Sequence, residues 1–500
     1  MARTASAVTT LKSYVGGQWT ELDASGTLPV TNPATGERIA EVPLTTAAGV
    51  DRAVKVAQAA FPAWRATAPI NRARFMFRLK ELMERRFDDL AGAITREHGK
   101  TLDDARGEAR RAIENVEVAA GIPSLMMGYG LEDGAASGID EEVVRTPLGV
   151  FAAVCPFNFP AMVPFWFWPY AVACGDTYIV KPSEQVPTSM ALVAELVNEI
   201  GLPPGVFNVV HGDRRTVDAL LDHPLVRGIS FVGSTPVAKY IYARGAERGK
   251  RVQAQGGAKN VLVVMPDANV EKTVDNIVGS GFGAAGQRCL ANSIVVTVGQ
   301  ARERVMPALR GAAQALRVGN GLEPGVQMGP VISDKAKQRI LGYIEEGEKA
   351  GAKLTVDGRK VPAASGPGCF VGPTIFEDVR PEMKIAQDEI FGPVLSVIHV
   401  ETLDEAIELI EKSPYGNAAS IFTNSGGAAR EFRYRVPTGN VGINVGVAAP
   451  MAYFPFSGAK DSFFGTLHGQ GRDAIDFFTE RKVVITRWFE TGKAAGHHGF

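Results

Sequence analysis

The sequence predicts an α/β fold of parallel sheets with helical crossovers. Strand-length apolar runs alternate with stretches of helical period along most of the chain, and a parallel strand pair needs such a crossover. The runs close on loops, PFNFP at 156–160, KPSE at 181–184 and Gly233-Ser234-Thr235-Pro236, at the strand ends where parallel sheets bind their ligands. At 500 residues the chain is too long for one core, so two or three domains are expected.

Taken in order, residues 14–44 read as short strands with turns at Gly16-Gly17 and Asn32-Pro33, an N-terminal hairpin. Val50 to Ala60 and Ile70 to His98 are helical, with apolar residues three and four apart. The helix from Thr101 to Gly121 is so richly charged that its plain reading is a solvated face. Glu141 to Thr146 is a strand that follows Gly/Ser-rich sequence at 134–138, the pattern of a strand leaving its own domain. The alternating stretch 477–489 is its natural partner. Gly149 to Cys155 runs into PFNFP, and Ala171 to Val180 into KPSE, with a helix from Thr188 to Gly201. Val206 to Val210 leads to His211-Gly212-Asp213, and Gly228 to Val232 leads to Gly233. A second α/β unit is expected from Asn260 to about Gly446, with strands near 292–298, 394–400 and 419–423.

Composition narrows the class. Hydrophobic content of 45% and charged content of 21% are ordinary for a soluble α/β enzyme. A formal net charge of −1 gives no reason to expect a nucleic acid or an anionic membrane as partner. The apolar stretch 165–174 is too short for a span and is broken by Pro169. The N-terminus is Ser/Thr-rich but has no apolar core of signal-peptide length. Cys155, Cys174, Cys289 and Cys369 form no CxxC and no Cys/His cluster. That argues against a disulfide framework or a zinc site and for a reducing compartment, the cytoplasm.

The chemistry gathers around GSGFGAAGQRCLAN, residues 279–292. Four glycines and two alanines leave the backbone bare on the approach to Cys289, and Arg288 sets a positive charge beside the sulfur. The thiolate is the nucleophile, and nearby cations lower a thiol's pKa. The bland alternative is a buried cysteine after a Gly-rich turn. Asn158, between Phe157 and Phe159, could offer its amide to an oxyanion. There is no GxGxxG after the first strand. In its place Gly233 permits an unusual backbone angle, Ser234 or Thr235 can cap a helix, and Pro236 suits its first turn. Such a helix N-terminus suits a pyrophosphate. Lys181 and Glu184 can hold ribose hydroxyls, and a carboxylate at 184 would repel a 2′-phosphate, which favours NAD over NADP.

GQRC followed by an apolar residue and Ala resembles the nucleophile motif of the aldehyde dehydrogenase superfamily. Other segments match that superfamily in order over nearly the whole length. Within it, the AKN ending at 258–260 and the segment FPFSGAKDSFFGTLHGQGRDAIDFF at 454–478 resemble the CoA-dependent methylmalonate-semialdehyde dehydrogenases. The resemblance implies two Rossmann-like parallel-sheet α/β domains plus a small β oligomerisation extension. Residues 1–138 and 151–262 would form the NAD-binding domain, and 263–450 the catalytic domain. Residues 139–150 and 470–490 would be oligomerisation strands of a homodimer or homotetramer.

The same resemblance implies that Asn158 and the backbone N–H of Cys289 make a two-donor oxyanion hole. It assigns cofactor contacts to Cys155, Phe157, Lys181, Glu184, Gln185, Gly233, Ser234 and Gly256. In Glu389-Ile390-Phe391-Gly392-Pro393, the glutamate would hold the nicotinamide ribose and Phe391 would pack near the ring. Hydrolytic relatives activate water with a glutamate in an ELGGK segment, whereas the matching stretch here, 251–260, contains no acid. A thioester without a water-activating base can wait for the thiol of coenzyme A. A semialdehyde with a β-carboxylate calls for arginine, with Arg288 and Arg111 as candidates and Arg110 beside the latter. The expectation is oxidative decarboxylation of methylmalonate or malonate semialdehyde to propionyl-CoA or acetyl-CoA, through a Cys289 thiohemiacetal and thioester. The competing readings are a hydrolytic dehydrogenase giving free acid, and a catalytically silent protein that keeps the fold.

Overall fold

The computed structural model describes residues 8–489. Its first sheet has eight strands in the order Gln18–Thr20, Ser13–Val15, Phe207–Val209, Thr177–Lys181, Val150–Val154, Val226–Val232, Arg251–Gln255 and Phe463–Phe464. The five from Phe207–Val209 to Arg251–Gln255 are parallel, and antiparallel strands close both edges. Val150–Val154 and Thr177–Lys181 are buried at every residue, as expected of parallel strands covered by helices on both faces. From Val150–Val154 the chain builds outward in one direction, then returns to its other side with Val226–Val232. That reversal opens a crevice between the loops after residues 154 and 232.

The second sheet has seven strands, in the order Lys353–Val356, Thr374–Glu377, Val394–Val400, Asn292–Val298, Asn260–Val264, Ala418–Phe422 and Asn440–Ile443. All but the first run parallel. The strands expected near 292–298, 394–400 and 419–423 are all present. Only residues 256–259 separate the end of Arg251–Gln255 from the start of Asn260–Val264. The carboxyl end of the first sheet therefore meets the amino end of the second across a four-residue crossing. A third sheet pairs Thr479–Arg487 with Ile139–Pro147 over nine register positions and adds Tyr129–Leu131. Leu131, Val483, Ile485 and Trp488 are exposed there.

Three local readings change. The N-terminal hairpin is two structures. Ser13–Val15 and Gln18–Thr20 extend the first sheet through Tyr14 opposite Val209, while Ala24–Thr31 and Arg38–Thr45 form a separate ribbon. The long helix from 70 to 98 is two, Pro69–Arg85 and Phe87–His98, interrupted at Arg86. Asp88 and Asp89 stabilise the new N-terminus there. The run 171–180 begins as a helix, Trp168–Cys174, and turns at Gly175 (φ +112) into the strand Thr177–Lys181. Pro169 in its first turn and a left-handed glycine at its end are the signals of a short helix. Among the described residues, no helix is long and apolar enough to cross a membrane.

Candidate active site

The helix Val270–Phe282 ends in a turn at Gly283–Gly286 whose last three residues are left-handed. Ala284 (φ 49°), Ala285 (φ 53°) and Gly286 (φ 70°) adopt this conformation in succession. A side-chain-bearing residue held there costs about 1–3 kcal/mol and persists only where its surroundings impose it. Several contacts do so. Asp104 accepts the Ala284 N–H at 3.1 Å, and Ile332 N–H donates to the Gln287 side chain at 3.0 Å. A Cβ on Gly286 would lie 2.2 Å from the Gly392 carbonyl oxygen, and one on Gly283 would lie 2.6 Å from the Arg288 guanidinium. At these two positions the bare backbone accommodates the protein's own close packing.

Cys289 follows, 8% exposed. Its carbonyl accepts two amides, from Asn260 and Asn417, each at 2.8 Å. Asn260 also spans to the Ala291 carbonyl at 3.0 Å, and Gln255 donates to Asn417 at 3.0 Å. These asparagines were not singled out from the sequence, although the AKN ending contained the first. Arg288 lowers the thiol's pKa as the sequence suggests, but it is outweighed and the net shift is upward. Burial, followed by the negative charge of Glu389, pushes the Cys289 thiol up to about 12, against the N–H groups of Cys289 and Leu290 and the charge of Arg288. Arg288 acts weakly because Asp104 pairs with it and the Gly279 carbonyl accepts its other arm at 3.1 Å. Burial thus favours the protonated thiol at Cys289.

Asn158 comes from the other sheet. It is buried, and its side-chain amide donates to the carbonyl of Gln287 at 3.0 Å, two residues before the cysteine. This contact joins the end of the first sheet to the nucleophile loop, leaving the second amide hydrogen for another acceptor.

Lys181 and Glu184 pair at 2.9 Å. Burial pushes the Glu184 carboxyl up, but Lys181 outweighs it and the net shift is downward, so the carboxylate is charged. Gln185 lies in the turn after KPSE, its N–H donating to Ser183 at 3.3 Å. Cys155 is buried with its N–H on the Lys181 carbonyl at 3.0 Å, and burial raises its thiol pKa. Gly233 donates to the Gln255 carbonyl at 3.1 Å and precedes the helix Thr235–Glu247. The expected side-chain cap is absent there. Ser234 makes no capping hydrogen bond, and the Thr235 hydroxyl instead donates to the Asp461 carbonyl at 3.0 Å and accepts the Gly257 N–H at 2.9 Å. A helix start without a side-chain cap suits an anion.

Gly256 packs on the protein itself, with its N–H on the Ser462 carbonyl at 2.8 Å. At the neighbouring Gly257, a Cβ would lie 2.4 Å from the Glu389 carboxylate. Glu389 accepts the Ala258 N–H at 2.9 Å, and burial pushes its carboxyl up to about 7. Phe391, left-handed at φ 51°, sits edge-on to Phe157 at 5.8 Å. The charged pair, the uncapped helix and the glycine pressed on Glu389 together fit a dinucleotide.

Cys289 lines a cavity of about 270 Å³ together with Arg288, Arg111, Phe159, Trp166 and Phe456 among others. The charged helix, Leu102–Ala120, presents Asp103, Gly107, Arg111 and Asn115 to it, the spacing of one helical face. The solvated-face reading fails along that stripe. Arg110 points elsewhere and grips Glu84 through two nitrogens at 2.7 and 2.9 Å. Arg111 pairs with Glu114 at 2.9 Å. Glu108 also lines this cavity, but Lys100, Ala161 and Met162 occupy its oxygens. A larger cavity of about 620 Å³, beside Val261, Ile398 and Leu409, contains no cysteine. The smaller cavity is the one that holds Cys289.

Comparison with known proteins places the chain in a family. The aldehyde dehydrogenase family matches residues 19–484. The chain is 50% identical over 481 residues to malonate-semialdehyde dehydrogenase 2 of Geobacillus kaustophilus (strain HTA426), covering 96% of this chain and 99% of that one. The crystal structure of methylmalonate-semialdehyde dehydrogenase from Oceanimonas doudoroffii superposes with a TM-score of 0.95 at 45% identity, covering 97% and 99%. A Sinorhizobium meliloti 1021 protein described as a methylmalonate-semialdehyde dehydrogenase, complexed with NAD, gives 0.96 at 42% identity, covering 98% and 100%.

Proposed function

This chain belongs to the aldehyde dehydrogenase family, and on that premise we propose that it oxidises methylmalonate or malonate semialdehyde with NAD and coenzyme A. The products are propionyl-CoA or acetyl-CoA, CO2 and NADH. The observation that carries the reading is the cavity in which Cys289 lies with two arginines, Arg111 and Arg288. A substrate carboxylate competes there with Glu114 and Asp104 for the two guanidinium groups, whose planar forks match it. The aldehyde carbon then faces the sulfur.

The thiol loses its proton to solvent, the resulting Cys289 thiolate adds to the aldehyde carbon, and the new oxyanion is met by the Asn158 amide and the Cys289 N–H. Lys181, Glu184, the start of the helix Thr235–Glu247, Glu389 and Phe391 would hold NAD, which when bound accepts the hydride of the adduct. The resulting thioester stays on Cys289. Its carbonyl takes up the electron pair of the C–C bond as the β-carboxylate departs as CO2, and the α-carbon is then protonated. The CoA thiolate attacks the remaining acyl group, a C–S bond forms to CoA, and the Cys289 thiolate leaves.

Water competes poorly because no acid lies in 251–260 and Glu108 is fully engaged. The hydrolytic alternative rests on Glu389, the buried carboxylate whose charge acts on Cys289.

The test mixes enzyme, NAD and methylmalonate semialdehyde with and without CoA, following NADH rapidly and identifying the acyl product. We expect a burst that stalls without CoA, and turnover to propionyl-CoA and CO2 with it. Steady NADH release to free acid without CoA would overturn the reading.

The proposal extends to organisation. The first sheet with its helices is the NAD-binding domain, the second carries the nucleophile, and the exposed apolar three-stranded sheet is the contact of a homo-oligomer. A cytoplasmic location fits the four free cysteines.

A further inference from the structure

We propose that the buried Lys100–Glu108 ion pair is the positioning device of the oxyanion hole, fixing the loop that presents Asn158 to the Cys289 adduct. This rests on the reading of Asn158 as an oxyanion donor.

Both side chains are fully shielded from solvent and lie 2.7 Å apart. Almost every other contact they make is to one loop. The Lys100 ammonium donates to the Asn158 carbonyl at 2.6 Å and sits over the Phe159 ring at 4.2 Å. The Glu108 carboxylate accepts the N–H of Ala161 at 2.8 Å and of Met162 at 3.1 Å. The loop is irregular, so these backbone groups have no sheet ladder to join, and a buried orphan would be costly. One cation and one anion satisfy an acceptor and two donors on either side of the turn.

The pair is itself anchored. The Lys100 N–H donates to His98 Nδ1 at 3.2 Å, and the His98 ring stacks on Phe157 at 6.1 Å. The Gly321 backbone packs close against this segment, where a Cβ would lie 2.3 Å from the Lys100 carbonyl oxygen, and its carbonyl accepts the Leu102 N–H at 3.1 Å.

Stability alone does not account for the arrangement. Taking two charges out of water is expensive, and well-packed apolar residues often replace a buried pair without loss. Methionines at these positions could fill the space but could not hold the Asn158 carbonyl or the N–H groups of Ala161 and Met162. What they would lose is the placement of the amide. The second hydrogen of that amide must meet an oxyanion, and misplacement by about 1 Å costs about 100-fold in rate.

The experiment is a double-mutant cycle on the NADH burst, with NAD saturating and CoA absent. K100M is expected to slow the burst about 100-fold while NAD binding by fluorescence titration is unchanged. In an N158A background, K100M is expected to add little further loss, because its effect passes through Asn158. Equal fold-losses in both backgrounds would overturn the proposal and leave Lys100 a support of the fold. If K100M does not fold, K100M/E108M, which removes both charges together, runs through the same cycle with the same criteria. The burst precedes deacylation, so the outcome is independent of whether CoA or water removes the acyl group. A wild type that reduces NAD with no aldehyde would overturn the function itself, and this proposal with it.

Discussion

The two halves of the active site are held by different physics. The Asn158 loop, at the end of the first sheet, is an irregular segment fixed by charge and hydrogen bonds from a buried ion pair. The Cys289 loop, at the start of the second sheet, is a left-handed turn fixed by close backbone packing on Gly392 and by amides on its carbonyl. The first device tolerates small changes of shape but not of polarity. The second tolerates changes of neither volume nor backbone angle. Substitutions of equal size should therefore act very differently on the two sides.

The severest break is expected at Gly286. G286A places a methyl group 2.2 Å from the Gly392 carbonyl oxygen at a residue with φ +70°, and NADH formation should be abolished, with a lowered Tm in calorimetry. G279A, in the helix leading to the same loop and with open space around it, should retain full activity and gain about 0.5–1 kcal/mol. Comparable loss in both would remove the steric distinction.

Next in size is Arg111. R111M should lower kcat/KM for methylmalonate semialdehyde about 10- to 100-fold, the worth of a charged hydrogen bond, and leave oxidation of propanal nearly unchanged. Equal losses on both aldehydes would mean that Arg111 does not meet the carboxylate.

A smaller effect concerns the thiol. With Cys289 pushed up to about 12, only the rare thiolate reacts, so iodoacetamide labelling of the free enzyme should rise about tenfold per pH unit up to pH 10. A plateau near pH 7 would reveal an activated thiolate instead. Because the charge of Glu389 raises the thiol's pKa, E389Q should label a few-fold faster at a given pH.

The smallest effect lies away from the sulfur, between the helices Phe87–His98 and Thr188–Glu199. Buried Glu97 accepts the N–H and hydroxyl groups of Thr188 and Ser189 at the start of the helix after KPSE. Burial raises its carboxyl from 4.5 to about 7. A raised acid favours folding while protonated, so this contribution is complete below pH 4.5 and is lost as pH rises through 7. The Tm of E97Q relative to wild type should thus improve between pH 5 and pH 8, and a constant difference would contradict the shift.

Much of the first half was legible in the chain. PFNFP, KPSE and Gly233 stand at strand ends because alternation of strand and helix placed them there, and each occupies the expected position. Cys289 stood out as part of a motif, but its surroundings were not legible. Nothing in AAG announces three left-handed residues, since the turn is imposed by Asp104 and Gly392, distant in sequence. Arg288 looked like an activator because its neighbour in sequence is the thiol; its neighbour in space, Asp104, is the one that engages it. Lys100, Glu108, Asn260 and Asn417 read as ordinary polar residues until tertiary contacts gave them partners. The charged helix 102–120 misled for the same reason, as a 3.6-residue period shows that a face exists but not what it faces.

The four-residue crossing at Gly256–Lys259 has a mechanical consequence. Asn260, the residue after it, holds the Cys289 carbonyl, and Ala258 within it holds Glu389. The short link and the residue after it are thus also the backbone from which the Cys289 carbonyl and Glu389 are held, so a substitution that lengthened or loosened the link would disturb both contacts at once.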